Sequence, residues 1–263
     1  MAQRRGLRRA GEGAHRRARR GVRRRAADPG GDVTAGPATR ARPQDELAAL
    51  AAPLVARVTA HPFWAGLRDG TLPPEALWWF AEQDARYVVP AYARALARCA
   101  AGADRSEHAG LLAGAAQATV GSLPRLDREL GRLAETLGRP AGPAFAGPAP
   151  AVHAYTSVML AAPVTSFAAG VGALLPMSWF HLLVSDDLRQ RADRSSRYGP
   201  WIEQYLAYDG FADYVAAWLA MVDEVVEAGG DGNRTRLVEW FLTGARCEWE
   251  FADAAWRRQG WAV

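Results

Sequence analysis

Apolar residues recur at intervals of three and four through almost the whole chain from Asp45 onward, the spacing that collects them on one face of a helix. Residues 45–60 place Leu47, Leu50, Leu54 and Val58 on one stripe, and His61-Pro62 ends that helix. Phe63 to Leu67 makes a short helical turn closed by Asp69-Gly70. Thr71-Leu72-Pro73-Pro74 reads as a start signal, with Thr71 as cap, for a helix predicted to run from Pro74 to Ala101 and to bend near Pro90. Residues 105–138 give one long helix or two joined near Gly121–Pro124, and a Pro/Gly loop covers 138–150. Helices are predicted over 151–162 and 163–191, another opens at Tyr198-Gly199-Pro200, and two more span 209–228, ended by Gly229-Gly230, and 233–259. No stretch shows the period-two alternation of a strand, so the predicted class is all-α, a helical bundle.

Three polar positions interrupt the apolar stripes. On the helix from Pro74, Asp84 shares a face with Leu77, Phe80, Tyr87 and Ala91. A carboxylate on such a face is costly unless something donates to it, so Asp84 needs a side chain, an internal salt bridge to an arginine, a backbone group or a ligand. On the last helix Glu248 shares its stripe with Phe241, Gly244, Phe251 and Ala255. The apolar run from Val164 to Leu188 contains Pro176, whose ring removes a backbone donor and kinks a helix, and just beyond it Met177 and His181 stand four apart on one face. Met177 and His181 fill either a packed core or a pocket wall. Two buried acids on separate helices of a bundle, facing a kinked third, imply a polar pocket in which desolvation lifts a carboxyl towards the range useful for acid–base work.

Charge divides the chain. The first 43 residues hold 13 Arg against Glu12, Asp28 and Asp32, a net +10 within a total of +4, so the rest is mildly acidic. Residues 1–43 have too little apolar content to offset the entropy of ordering and are expected to be a disordered Arg-rich tail, attached to a helical domain over 44–263. Nucleic acid is not an expected partner except non-specifically through that tail. No apolar stretch follows the paired arginines, so a secretion signal is not expected, and a solvated tail or an over-long gene start accounts for the segment. All 32 basic residues are Arg, which fits a high-GC codon bias. Cys99 and Cys247 have no metal-ligand spacing, and so sparse a pair fits a reducing cytoplasm. No free apolar run is long enough for a membrane span. The five histidines lack the repeated spacing on paired helices that a two-metal bundle needs, so no metal site and no cofactor are expected.

Six segments together resemble the TenA family of thiaminase II and aminopyrimidine aminohydrolases: Asp69–Leu72, Phe80–Tyr87, Ala154–Thr156, Leu174–Pro176, Tyr198–Tyr205 and Cys247–Asp253. They cover 45–261 in order. The resemblance implies a heme-oxygenase-like helical bundle without heme, a homotetramer, and a place in thiamine salvage, where an aminomethyl pyrimidine is converted to its hydroxymethyl form. By matching position, it implies that Asp84 binds the aminopyrimidine edge, with Tyr87 beside it, Tyr155 and Tyr205 frame the ring, and Glu248 handles the proton on the leaving group.

The departure lies after Leu174-Leu175-Pro176. Where the better known branch of the family has a nucleophilic cysteine, this chain has Met177, whose thioether has no proton to lose. His181 stands where that branch commonly has tyrosine; with an ordinary value near 6.5 it is a candidate second base beside Glu248. The expectation is a hydrolase of a thiamine-derived aminopyrimidine, or of its N-formyl form, working without a cysteine nucleophile. The alternatives are a non-catalytic pyrimidine-binding or regulatory protein, and an enzyme of specialised metabolism on the same bundle.

Overall fold

Proline opens most of the helices, as its fixed φ and missing N–H favour. The computed structural model of the chain describes residues 41–139 and 147–262, and all regular structure in them is helical. Helix α1 spans Pro43–Thr59, α2 Pro62–Arg68, α3 Pro74–Gln83, α4 Val89–Ala101, α5 Ser106–Thr136, α6 Pro150–Thr165, α7 Phe167–Arg191, α8 Gly199–Tyr205 and α9 Phe211–Arg257. A single π turn, Asp84–Val88, joins α3 to α4. The segment expected to be disordered lies, up to residue 40, outside the described residues, as do residues 140–146 of the Pro/Gly loop.

Several predicted boundaries move for identifiable reasons. The helix predicted to restart at Pro163 begins instead at Phe167, because α6 runs on to Thr165 and Ser166 leaves the helical region. The Ser166 hydroxyl accepts the Ala169 N–H at 3.1 Å and so caps α7. Thr71 is not a cap: its N–H closes the preceding turn onto the Gly66 carbonyl at 2.8 Å, and Pro73 takes the capping position of α3. Helix α5 continues through Pro124 as one element. In α9 the predicted end at Gly229-Gly230 survives as a break, with Gly230 at φ 59°, ψ −149° between two helical halves.

The core is organised on α7 and the second half of α9. Helix α7 is apolar all round and buried from Ala168 through Pro176, as such a helix must be. Two glycines let its backbone meet α9 directly. A Cβ on Gly172 would stand 2.3 Å from the Leu237 carbonyl oxygen, and one on Gly244 would stand 2.5 Å from that of Ala173. By length and hydropathy α7 qualifies as a membrane-crossing helix, yet 72% of its most apolar window is buried within the bundle, which accounts for its composition. Helix α1 packs along α9, α4 packs on α5 and α6, and α6 packs on α7 and α9.

The π turn is the one local feature that helical periodicity does not anticipate. There the Val89 N–H bonds the Asp84 carbonyl, five residues back instead of four. Pro90, with no N–H to offer, follows at once in the first turn of α4. A turn closed over five residues changes which side chains share a face. Val88 and Val89 line the cavity with Asp84, and Tyr87 does not.

Candidate active site

A cavity of about 580 Å³ opens inside the bundle, lined by the π turn and by residues from α1 through α9. Asp84, Tyr155, Met177, His181, Tyr205 and Glu248 all line it. Tyr87, placed beside Asp84 by ordinary helical spacing, is not among the lining residues; Val88, Val89 and Tyr92 take that wall because of the π turn.

Asp84 has no ion pair and no hydrogen bond to another described residue, so the internal salt bridge left open by its sequence position is absent there. Burial alone lifts its carboxyl from 3.8 to about 7. Glu248 stands at about 7 as well. Burial is the main cause, the neighbouring Asp84 charge adds to it, and the Tyr155 hydroxyl, which donates to Glu248 Oε1, opposes it. Near neutral pH each carboxyl is divided between its two forms. That is the condition for giving a proton and later taking one back.

Aromatic rings hold the polar groups in place. Tyr205 stacks on Trp201 at 5.0 Å and meets Trp64 at 5.4 Å, while the His181 ring stands edge-on to it at 4.8 Å. Phe211 closes on His181 from another side at 5.3 Å. Burial, and secondarily the positive charge of Arg125, push the imidazole down to about 4. His181 is therefore neutral at physiological pH and a far weaker base than the ordinary value near 6.5 had implied.

Comparison with known proteins gives the family. The TENA/THI-4/PQQC family model matches residues 49–258. The chain belongs to that family. It is 30% identical over 203 residues to an aminopyrimidine aminohydrolase of Bacillus subtilis, covering 77% of this chain and 84% of the relative. A relative of the same name from Halalkalibacterium halodurans is 32% identical over 214 residues, covering 76% of this chain and 89% of the relative. Among solved structures, the TenA homologue from P. horikoshii superposes with a TM-score of 0.67 at 25% identity, over 82% of this chain and 99% of that one. The fold is the all-α, heme-oxygenase-like bundle of that family.

Within the TenA pocket this chain offers no thiol. Met177 faces the cavity, and neither cysteine lines it. Cys99 is buried against Gly170, where an added Cβ would stand 2.7 Å from its sulfur, and burial pushes its thiol up to about 12. Cys247, one residue before Glu248, turns to another side of α9, and its thiol is pushed up to about 11, first by burial. Residues not singled out from the sequence complete the wall. Tyr92 bonds the Ser178 hydroxyl at 2.8 Å, Tyr214 lies near both, and Arg125 sits on the α5 side with its guanidinium on the Gln204 carbonyl at 3.3 Å. Tyr92, eight residues past Asp84, would lie about 80° off its direction in an ordinary helix, so spacing alone did not single it out; it joins this wall across the π turn. Among the described residues, no three His, Cys, Asp or Glu side chains cluster in a way that would hold a metal ion.

Proposed function

We propose that the protein hydrolyses a C–N bond of a thiamine-derived aminopyrimidine, converting an aminomethyl or formylaminomethyl pyrimidine to the hydroxymethyl form in thiamine salvage, without a cysteine nucleophile. The observation that carries this reading is the pair of partly buried carboxyls facing one cavity, Glu248 tied to Tyr155 and Asp84 with no partner among the described residues. A buried carboxyl left unsatisfied by its own chain is one kept for a ligand. The names of the two bacterial relatives support the substrate class.

In this mechanism Asp84 takes the amidine-like edge of the aminopyrimidine, where ring nitrogen and amino group offer one acceptor and one donor to a carboxyl. Tyr205, backed by Trp201 and Trp64, and Met177 flank the ring. Glu248 in its acid form protonates the departing nitrogen, and as carboxylate it takes a proton from the incoming water. Tyr155 orients Glu248 and keeps its value from rising further. His181, neutral, gives shape and one nitrogen to the wall and is no longer assigned the role of second base.

The test is to incubate the purified protein with thiamine, the aminomethyl pyrimidine and its N-formyl derivative, and to follow the hydroxymethyl product by mass spectrometry. Glu248→Gln should lower turnover by about 10² to 10⁴, the usual worth of a general acid–base group. Unchanged turnover in that variant would refute the mechanism. Met177 in place of the family's cysteine favours one other reading, a binding protein without chemistry, which tight pyrimidine binding with no product would establish. The family resemblance also supports a homo-oligomer, the expected tetramer being measurable by light scattering, and the two free cysteines agree with a cytoplasmic setting.

A further inference from the structure

One wall of the cavity comes from a short stretch of chain: Tyr205, Leu206, Tyr208 and Phe211 all line it. Between the end of α8 at Tyr205 and the start of α9 at Phe211 that stretch has no helix of its own to hold it. Backbone groups of such a segment that are shut off from water need partners from elsewhere in the fold. Ala207, in its middle, is only 7% exposed.

Both partners come from α7. The Ala207 N–H donates to the Ser185 hydroxyl at 3.0 Å, and the Arg189 guanidinium donates to the Ala207 carbonyl at 3.0 Å. Ser185 is fully buried. Arg189 is aimed by a second nitrogen, which pairs with Asp186 at 2.5 Å. The two residues stand one helical turn apart, and the same step backward along α7 reaches His181 and then Met177, both of which line the cavity. One helix thus carries a wall of the cavity and a clamp on the neighbouring wall. The clamped segment also brackets His181, with Tyr205 meeting the imidazole at 4.8 Å before Ala207 and Phe211 meeting it at 5.3 Å after.

We propose that Ser185 and Arg189 are positioning residues for this pocket: neither lines it, and by holding both backbone groups of Ala207 they fix Tyr205, Leu206, Tyr208 and Phe211 in place around the ligand. The proposal rests on the aminopyrimidine reading above for the identity of that ligand. A wall fixed in advance spares the ligand the cost of ordering it. Where the wall is loose, only the fraction of molecules that have it in place can bind, and the apparent affinity falls by that fraction. The proton transfers belong to Glu248, on the second half of α9, which the clamp does not touch. Loss of the clamp therefore acts on KM and leaves kcat nearly as it was.

The test compares full-chain Ser185→Ala, Arg189→Met and Arg189→Lys with wild type on the aminomethyl pyrimidine, with hydrogen exchange read alongside. Ser185→Ala and Arg189→Met should each raise KM about fivefold, the worth of one net hydrogen bond, with kcat within about twofold of wild type. Arg189→Lys, which keeps a donor, should return KM to the wild-type value. The Leu206 and Phe211 amides, whose own acceptors are the untouched carbonyls of Ile202 and Tyr208, should exchange about fivefold faster in the first two variants. The Arg189 side chain is 45% exposed, so Arg189→Met should fold normally and decides the matter where Ser185→Ala does not. An unchanged KM in Arg189→Met, whatever becomes of kcat, overturns the positioning role and leaves the hydrolase reading standing. Wild-type protein that neither binds nor turns over any aminopyrimidine overturns that reading instead; unchanged exchange at Leu206 and Phe211 in the variants then overturns the clamp as well.

Discussion

Glu248→Gln keeps the side chain's shape and its acceptor for the Tyr155 hydroxyl, and removes only the capacity to carry charge. Burial holds the Glu248 carboxyl at about 7 in the folded protein, against 4.5 for the free group. Between those values the folded state keeps a proton that the unfolded state has lost, so stability falls as pH rises through the interval. The contribution of the neutral acid is fully present below about pH 4.5 and is gone once pH passes about 7. The interval corresponds to about 3 kcal/mol, an upper limit because Glu248 is only partly buried and titrates together with Asp84. Glutamine has no such dependence. The variant should therefore be more stable than wild type by about 2 kcal/mol or more near pH 8, or roughly 5 °C in melting temperature for a domain of this size. Near pH 5 the gap should shrink below about 1 kcal/mol. Thermal unfolding followed by circular dichroism at both pH values, at one ionic strength, gives the answer. A gap of the same size at both, or a variant less stable than wild type near pH 8, would show that the fold does not hold Glu248 in its acid form. Asp84→Asn should behave in the same sense, and the double variant should gain less than the two singles added, because Asp84 is one of the causes that raise Glu248.

Other consequences can be read from single contacts. Tyr155→Phe removes the hydrogen bond that holds Glu248 down, so the alkaline limb of the turnover–pH profile should move upward while turnover falls about tenfold; a limb that stays in place would separate the two groups functionally. Gly244→Ala places a methyl 2.5 Å from the Ala173 carbonyl oxygen and forces α7 from α9, which should cost about 2 kcal/mol or more in urea denaturation. Because neither thiol lines the cavity, the double variant Cys99→Ala, Cys247→Ala should turn over substrate as wild type does, and a large loss would mean that a thiol takes part.

Most of the bundle was legible because it is written in repeated small signals. Proline at the first helical position, apolar stripes at three and four, and the Gly229-Gly230 break each act locally, so each survives folding unchanged. The two acids were legible for the opposite reason: Asp84 and Glu248 contradict the stripes that carry them. Their partners were harder to see. That Tyr155 donates to Glu248 depends on how α6 packs on α9, and nothing local to Tyr155 encodes it. The value near 4 for His181 depends on the rings of Tyr205 and Phe211 and on the charge of Arg125, each from a different helix.

The absence of Tyr87 from the cavity wall has a different origin. Helical spacing carried the stripe from Asp84 to Tyr87 and Ala91, and the π turn carries it to Val88, Val89 and Tyr92 instead. The signal was Pro90: a residue that cannot donate backward was read as a bend, whereas the helix absorbs it just after a turn one residue wider. Such a turn gives up an ordinary hydrogen bond and persists only where the surroundings sustain it. Here it begins at Asp84, the carboxyl with no partner of its own among the described residues, and it brings Tyr92 into reach of Ser178. Periodicity, reliable along nearly every other helix, fails at a residue that faces the cavity, and local rules are expected to be broken where a fold accommodates function. The irregularity that hid Tyr92 from the sequence is therefore itself an argument that this wall of the cavity is the working one.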